Sequence, residues 1–209
     1  MKRDNRITWH QNDVTNLDIK GKRIAIIGGT GGICRALSQY LASQGAEITV
    51  VGQTFRDVGM SNIQFIKADL SLMTEAKRIA TELVPETLDI LIFTTGIFAA
   101  PQRQETAEGI ERDLAVSYLN RYVILQDMAS KLGIQHHTSS IKPRVFLMAY
   151  PGSGQIGTPD DLNAEQSYKA MAVHMNTVAG NEILVLDGAK RYSNARACKL
   201  FCVSSIFYK

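Results

Sequence analysis

The chain has 209 residues, 45% of them hydrophobic and 21% charged, with 16 glycines against 5 prolines. That is the make-up of one globular domain able to bury a core, and it excludes a disordered or collagen-like chain. The formal net charge of +3 is too small an excess to specify a nucleic-acid binder. No run of about 18 apolar residues occurs, so no membrane span is expected. The N-terminal MKRDNRITWHQ lacks the apolar core of a secretory signal. Cys34, Cys198 and Cys202 are an odd count at irregular spacing. They argue against a disulfide framework and for a reducing, cytoplasmic setting. No histidine lies close to the Cys198 and Cys202 pair, so no metal site is expected.

Residues 1 to 20 are polar and read as an N-terminal extension; residues 21 to 209 read as a single domain. The run from Arg23 to Gly28 is continuously apolar, as suits a strand buried on both faces of a parallel sheet. A helix is expected over 33–43, with Ile33, Leu37, Tyr40 and Leu41 on one stripe and Gly45 beyond its end. Strands follow at 47–51 and 63–66. A second helix is expected at 71–83 with Ser71 as its cap, then a strand at 88–93. A long helix is expected at 106–132, with Gly109 near its start. A polar loop with His136, His137 and Pro143 leads to a fifth strand at 145–149. A loop rich in glycine and proline fills 151–161, and a second long helix 165–190. The tail from 197 to 203 reads as a sixth strand. This alternation predicts an α/β fold, a Rossmann-like doubly wound parallel sheet.

Between the first strand and the first helix lies Ile27-Gly28-Gly29-Thr30-Gly31-Gly32-Ile33-Cys34. A glycine turn lets the backbone approach a pyrophosphate, and the helix start offers free N–H groups and the positive end of a dipole. A dinucleotide cofactor is the expected ligand. The second strand ends Val51-Gly52-Gln53-Thr54-Phe55-Arg56. An acidic residue there would bind a ribose diol and an arginine a 2′-phosphate. Gly52 and Gln53 meet neither rule, and Arg56 suits a 2′-phosphate or a solvated surface equally. Sequence logic leaves NAD and NADP both open.

The segment resembles the short-chain dehydrogenase/reductase superfamily, whose glycine pattern is T-G-x-x-x-G-x-G. Gly28 and Gly32 match its first two glycines; Cys34 stands at the third, where it reads as a structural residue. The resemblance implies that Gly28, Gly29, Thr30, Gly32 and Ile33 seat the phosphates. It implies that Gln53, Asp69, Leu70, Thr95 and Gly96 border the adenosine. Asp69 matches the family aspartate that meets the adenine amino group, or else caps the next helix. Thr94-Thr95-Gly96 occupies the place of the family's N-N-A-G signature.

The family's tyrosine, lysine, serine and asparagine are replaced here. Tyr168 has Ala172 four residues on, and the neighbouring Lys169 points about 100° away on a helix. In the register of the retinol-dehydrogenase-like branch, Tyr168 is the non-catalytic tyrosine, His174 takes the catalytic position and Val178 the lysine's. Asn181 then matches an asparagine of that branch. Ser117 falls at the relay asparagine, and Tyr150, with Ser153 nearby, at the serine. Imidazole titrates near 6.5 and can donate a proton without a lysine neighbour. His174, Ser117 and Tyr150 are therefore the candidate catalytic residues, with Tyr168 for the other register.

Runs 25–32, 50–57, 93–99, 109–119 and 174–179 are similar to an NADH-dependent aldehyde-reducing branch of the superfamily that also lacks the tyrosine and lysine. The likeness spans about residues 7 to 194. It implies NADH-linked reduction of a small aldehyde, with a homo-oligomer compatible with the family. The family continues after the long helix with a Pro-Gly turn and a substrate loop. The segment from Arg196 to Lys209 has neither, so a truncated or altered C-terminus is expected. The alternatives are a catalytically inactive dinucleotide-binding module and a protein-interaction domain using the 197–208 edge.

Overall fold

The computed structural model describes residues 18–135, 143–150, 152, 154–192 and, by their backbone, 199–204. His136, His137, Ser153 and Cys198 lie outside the described residues. Six strands form one parallel sheet in the order β3-β2-β1-β4-β5-β6. They are β1 (Arg23–Ile27), β2 (Glu47–Gly52), β3 (Ile63–Lys67), β4 (Ile90–Phe93), β5 (Arg144–Ala149) and β6 (Lys199–Ser204). This is the doubly wound order, with its topological switch between β1 and β4. The sixth strand pairs parallel to β5, from Arg144 opposite Lys199 to Ala149 opposite Ser204.

The continuous apolar run of β1 is used on both faces. Ala25 and Ile27 pack with Ile79 and Ala80 of α2 (Met73–Glu82) and with Ile124, Leu125 and Met128 of α4 (Asn120–Met128). Ile24 and Ile26 pack on the other face with Leu41 and Ala42 of α1 (Gly32–Ser43). Arg23 at the start of β1 is exposed, and these four side chains of its five are fully buried. Each contributes about 1.5–3 kcal/mol by leaving water if an isoleucine, and less for Ala25.

Several boundaries differ from the sequence reading, each for a local reason. Ile33 is 56% exposed, because the first turn of α1 begins beyond the end of β1; the helix buries Ser38, Leu41 and Ala42 instead. The long helix expected from residue 106 starts only at α3 (Arg112–Leu114). Residues 106–110 form a turn around Gly109 (φ 74°), closed by Thr106 N–H donating to the Ile110 carbonyl. A π turn, Ala115–Leu119, then joins α3 to α4. The helix expected from 165 is α5 (Ala170–Arg191). Before it, the Asp161 carboxylate accepts from the N–H groups of Glu165, Gln166 and Ser167 in a non-helical loop.

Ser71 does not cap α2. Its N–H and hydroxyl both donate to Asp69. The cap comes from a distant residue: Glu108 accepts from the N–H groups of Met73 at 2.6 Å and Thr74 at 3.0 Å. These two bonds hold the Glu108 carboxyl below its usual range, against a smaller opposing effect of burial. A carboxyl depressed in the folded state adds stability above its unfolded value, near 4.3, and loses it as pH falls through the folded value. Glu108→Gln should therefore lower stability by about 0.5–1 kcal/mol near neutral pH, discounted for its exposure. In denaturant titrations the two proteins should converge as pH falls below about 4.

Candidate functional site

The C-terminal ends of β1, β2, β4 and β5 open onto two adjoining concavities that share Thr94, Thr95, Gly96 and Ile97. The first, about 340 Å³, is bounded by Gly28 and Thr30, by Gly52 and Gln53, and by Asp69 and Leu70. The second, about 280 Å³, is bounded by Cys34, Phe98, Ser117, Tyr150 and His174. A larger concavity, about 520 Å³, lies at the opposite ends of the strands around Arg23, Glu47 and Leu88. Ligands of doubly wound sheets bind at the carboxyl ends beside the switch point, so the smaller pair is the candidate site.

The glycine turn is shaped by packing and by ligand access at different positions. Gly28 has φ 98°, and a Cβ there would stand 2.7 Å from the Thr95 backbone nitrogen. This residue lets the β1 end pass against the β4 end. Gly29 faces the core: its Cβ would meet Ile26 Cγ2 at 2.8 Å. Gly31 and Gly32 have open space where a side chain would be. The start of α1 carries no side-chain cap and no acidic residue in its first turn. A 12-residue helix with an open N-terminus on a cleft suits an anion.

Gly52 stands against Thr30, whose Cγ2 lies 2.6 Å from where a Cβ would be. Thr30 fills the space that an acidic side chain at 52 would need. Next to it, the Gln53 amide donates to Asp69 at 3.1 Å. Burial opposes ionisation of Asp69, but hydrogen bonds from Ser71 and Gln53 outweigh it and hold the carboxyl below its usual range. Asp69 does not cap α2, whose first N–H groups go to Glu108; it gathers Ser71 in the loop before the helix and borders the cleft. Nearby, the Arg35 guanidinium pairs with Asp57 at 2.7 Å, and Gln39 donates to the same carboxylate.

His174, Ser117 and Tyr150, 57 residues apart at the extremes, come together at the second concavity. Tyr150 is 59% exposed. His174 lies on the first turns of α5, its ring centroid 4.6 Å from that of Phe98. Its Nδ1 is 2.8 Å from Oδ2 of Asp113, which is 0% exposed. The other carboxylate oxygen accepts the Ser117 hydroxyl at 2.5 Å. Ser117 Oγ in turn accepts from the Ile97 N–H. The Ser117 hydroxyl thus lies between Asp113 and the end of β4, on the wall of the second concavity. Tyr168 does not line this concavity; its hydroxyl donates to the Ala100 carbonyl at 2.5 Å, and burial pushes the phenol up. Cys34, read as a structural residue, is half-buried on the cleft wall.

Below the site, Arg121 ties the strand ends to α5. It is buried and donates to the carbonyls of Thr95 and Met148 and to Asn181 Oδ1. Asn181 donates to the Ser117 carbonyl at 2.9 Å. Sequence reasoning did not single out Asp113 or Arg121. Asp113 stands four residues before Ser117, one helical turn away. Arg121 interrupts the apolar positions of α4. Neither signal says which distant residue it meets. Among the described residues, no helix is long and apolar enough to cross a membrane, and no group of three His, Cys, Asp or Glu side chains could hold a metal ion.

No family model matches the chain. It is 52% identical over 197 residues to an uncharacterized oxidoreductase of Saccharomyces cerevisiae, covering 92% of this chain and 64% of the relative. It is 24% identical to human retinol dehydrogenase 14, covering 82% of this chain and 57% of the relative. The chain thus spans less than two thirds of the length of these curated relatives. Among solved structures it is similar to an NADH-dependent reductase, A1-R′, complexed with NAD. That match has a TM-score of 0.69 at 18% identity and covers 90% of this chain and 78% of the other. A short-chain dehydrogenase/reductase of Serratia marcescens matches with a TM-score of 0.65 at 20% identity, over 89% and 74% of the two chains. The strand order and the glycine turn at the switch point are thus those of the fold found in short-chain dehydrogenase/reductase structures, and in sequence the chain is akin to oxidoreductases.

Proposed function

We propose that the chain is an NADH-linked reductase of small uncharged carbonyl compounds, aldehydes foremost, with His174 as the proton donor. The observation that carries this reading is the His174–Asp113 pair on the wall of a cleft that continues into an anion-ready glycine turn. The residues present fit a dinucleotide. The open N-terminus of α1, with Gly28, Thr30, Gly32 and Ile33 around it, would hold the pyrophosphate. Gln53, Asp69, Leu70, Thr95 and Gly96 would border the adenosine. The bound nicotinamide supplies the hydride.

What the chain itself supplies is orientation and a proton. The walls of the second concavity include Ile97, Phe98, Met148 and Val178, which favour an apolar substrate body. His174 would give its ring proton to the carbonyl oxygen as the carbon is reduced. Preference for NADH over NADPH is supported by the engagement of Arg35 with Asp57. The related structure described as NADH-dependent points the same way.

The test is turnover with short aldehydes under each nucleotide, with alcohol product measured directly. NADH oxidation matched by alcohol formation, and slower with NADPH, is the expected result. Nucleotide binding without product over the panel would leave a silent binding module and remove the reductase reading.

A further inference from the structure

We propose that Asp113 is the positioning residue of this site: it fixes the ring tautomer of His174 and is itself braced by Ser117. The proposal deepens the reductase reading and rests on it for its consequence in turnover, though not for its structural content. Asp113 is wholly buried. A buried carboxylate is strongly destabilising unless each oxygen is satisfied. Here each oxygen has a partner: Oδ1 takes the Ser117 hydroxyl at 2.5 Å and Oδ2 faces His174 Nδ1 at 2.8 Å.

As a carboxylate, Asp113 can only accept. The His174 nitrogen facing it must then carry a hydrogen, which leaves Nε2 as the nitrogen that exchanges a proton. Ser117 narrows the arrangement further. Its oxygen accepts from the Ile97 N–H at 3.0 Å, and its single hydrogen has Asp113 at 2.5 Å against the Ile97 carbonyl at 3.3 Å, so the shorter contact to the carboxylate takes it. The chain of donors runs from the β4 end through Ser117 to Asp113, with His174 closing it from α5.

The backbone is shaped for this. The π turn Ala115–Leu119 sits between Asp113 and α4 and includes Ser117. Asn120 Nδ2 donates to the carbonyls of Ala115 at 2.9 Å and Val116 at 2.5 Å, satisfying groups that the widened turn leaves. Such turns inside helices are frequent at functional sites. Asn181 holds the Ser117 carbonyl from α5, about two helical turns beyond His174. The pair is thereby fixed from two elements whose residues are 61 positions apart in sequence.

In the reduction, a bound dihydronicotinamide would supply the hydride to the carbonyl carbon, and His174 would give its Nε2 proton to the oxygen. The imidazolium becomes a neutral imidazole with its hydrogen still on Nδ1, and water reprotonates Nε2. Asp113 neither gains nor loses a proton in this cycle. Its part is to keep the correct nitrogen exposed.

The experiment is nitrogen NMR of the imidazole rings in the full chain, with kinetics on the same samples. The chain has four histidines, and His174→Gln identifies the His174 signals by their disappearance. The expected result is the Nδ1–H tautomer at His174 in its neutral form, lost or mixed in Asp113→Asn. In parallel, kcat should fall about 10²-fold in Asp113→Asn with KM for NADH within about twofold. Ser117→Ala keeps the Asp113 carboxylate and should weaken both effects; it serves if Asp113→Asn does not fold. An Nε2–H tautomer in the unaltered chain, or one unchanged by either variant, overturns the proposal. If no aldehyde is reduced at all, the reductase reading fails while the tautomer still decides the role of Asp113.

Discussion

Replacing His174 by alanine should slow aldehyde reduction by about 10²- to 10⁴-fold while NADH affinity stays within about twofold. The effect is large because, among the described residues, no neighbouring group replaces it. Tyr150 is on the same wall, but exposed. Tyr168 has its hydroxyl committed to the Ala100 carbonyl, and its phenol is pushed up by burial, which makes it a poorer acid. Ser117 directs its hydrogen to Asp113. The affinity should hold because His174 borders the second concavity and is absent from the one around Gly28 and Asp69. Steady-state kinetics with a nucleotide titration separates the two quantities. A variant that turns over at the original rate would remove His174 from the chemistry.

Gly28→Ala should cost about 2–5 kcal/mol of stability and abolish measurable dinucleotide binding. Two effects add. A side chain at φ 98° is strained by about 1–3 kcal/mol. The new Cβ would also stand 2.7 Å from a backbone nitrogen, that of Thr95, and 3.0 Å from Thr94 Oγ1. A backbone atom cannot rotate away, so β1 and β4 would have to separate at the switch point, where the two concavities join. Gly96→Ala is the control. Its Cβ would meet Arg121 Nη2 and Ser117 Oγ at 3.8 Å, an ordinary contact, and stability should change by less than about 0.5 kcal/mol. Equilibrium denaturation of both variants measures the contrast.

The sheet was legible in the sequence because its strands are buried on both faces. Runs such as Arg23 to Ile27 carry that signature without any help from distant residues. The helix starts were not, because their caps are remote. α2 is capped by Glu108, about 35 residues onward, and α5 is delayed by the loop that Asp161 gathers. The site was legible in its parts. Gly28, Thr30, Asp69 and Gly96 reach one concavity, and His174, Ser117 and Tyr150 reach the other. The contacts within it were not legible. Nothing in the sequence places Asp113 beside the Ser117 hydroxyl and His174, because a buried aspartate looks like any other acidic residue in a first helical turn. Gly29 reads as part of the phosphate seat, but it is glycine so that the turn can lie on Ile26.

The reductase reading, the role of His174 and the cofactor preference all depend on a dinucleotide site at the β1–β4 switch point. Thermal melting of the chain with NADH and, separately, NADPH tests that most directly. A ligand bound only by the folded state stabilises it by about 2.7 kcal/mol at a hundredfold excess over its dissociation constant. The melting temperature should rise with NADH in step with its concentration, rise less with NADPH, and stay unmoved for Gly28→Ala. A cooperative melt that neither nucleotide moves would contradict a dinucleotide site there.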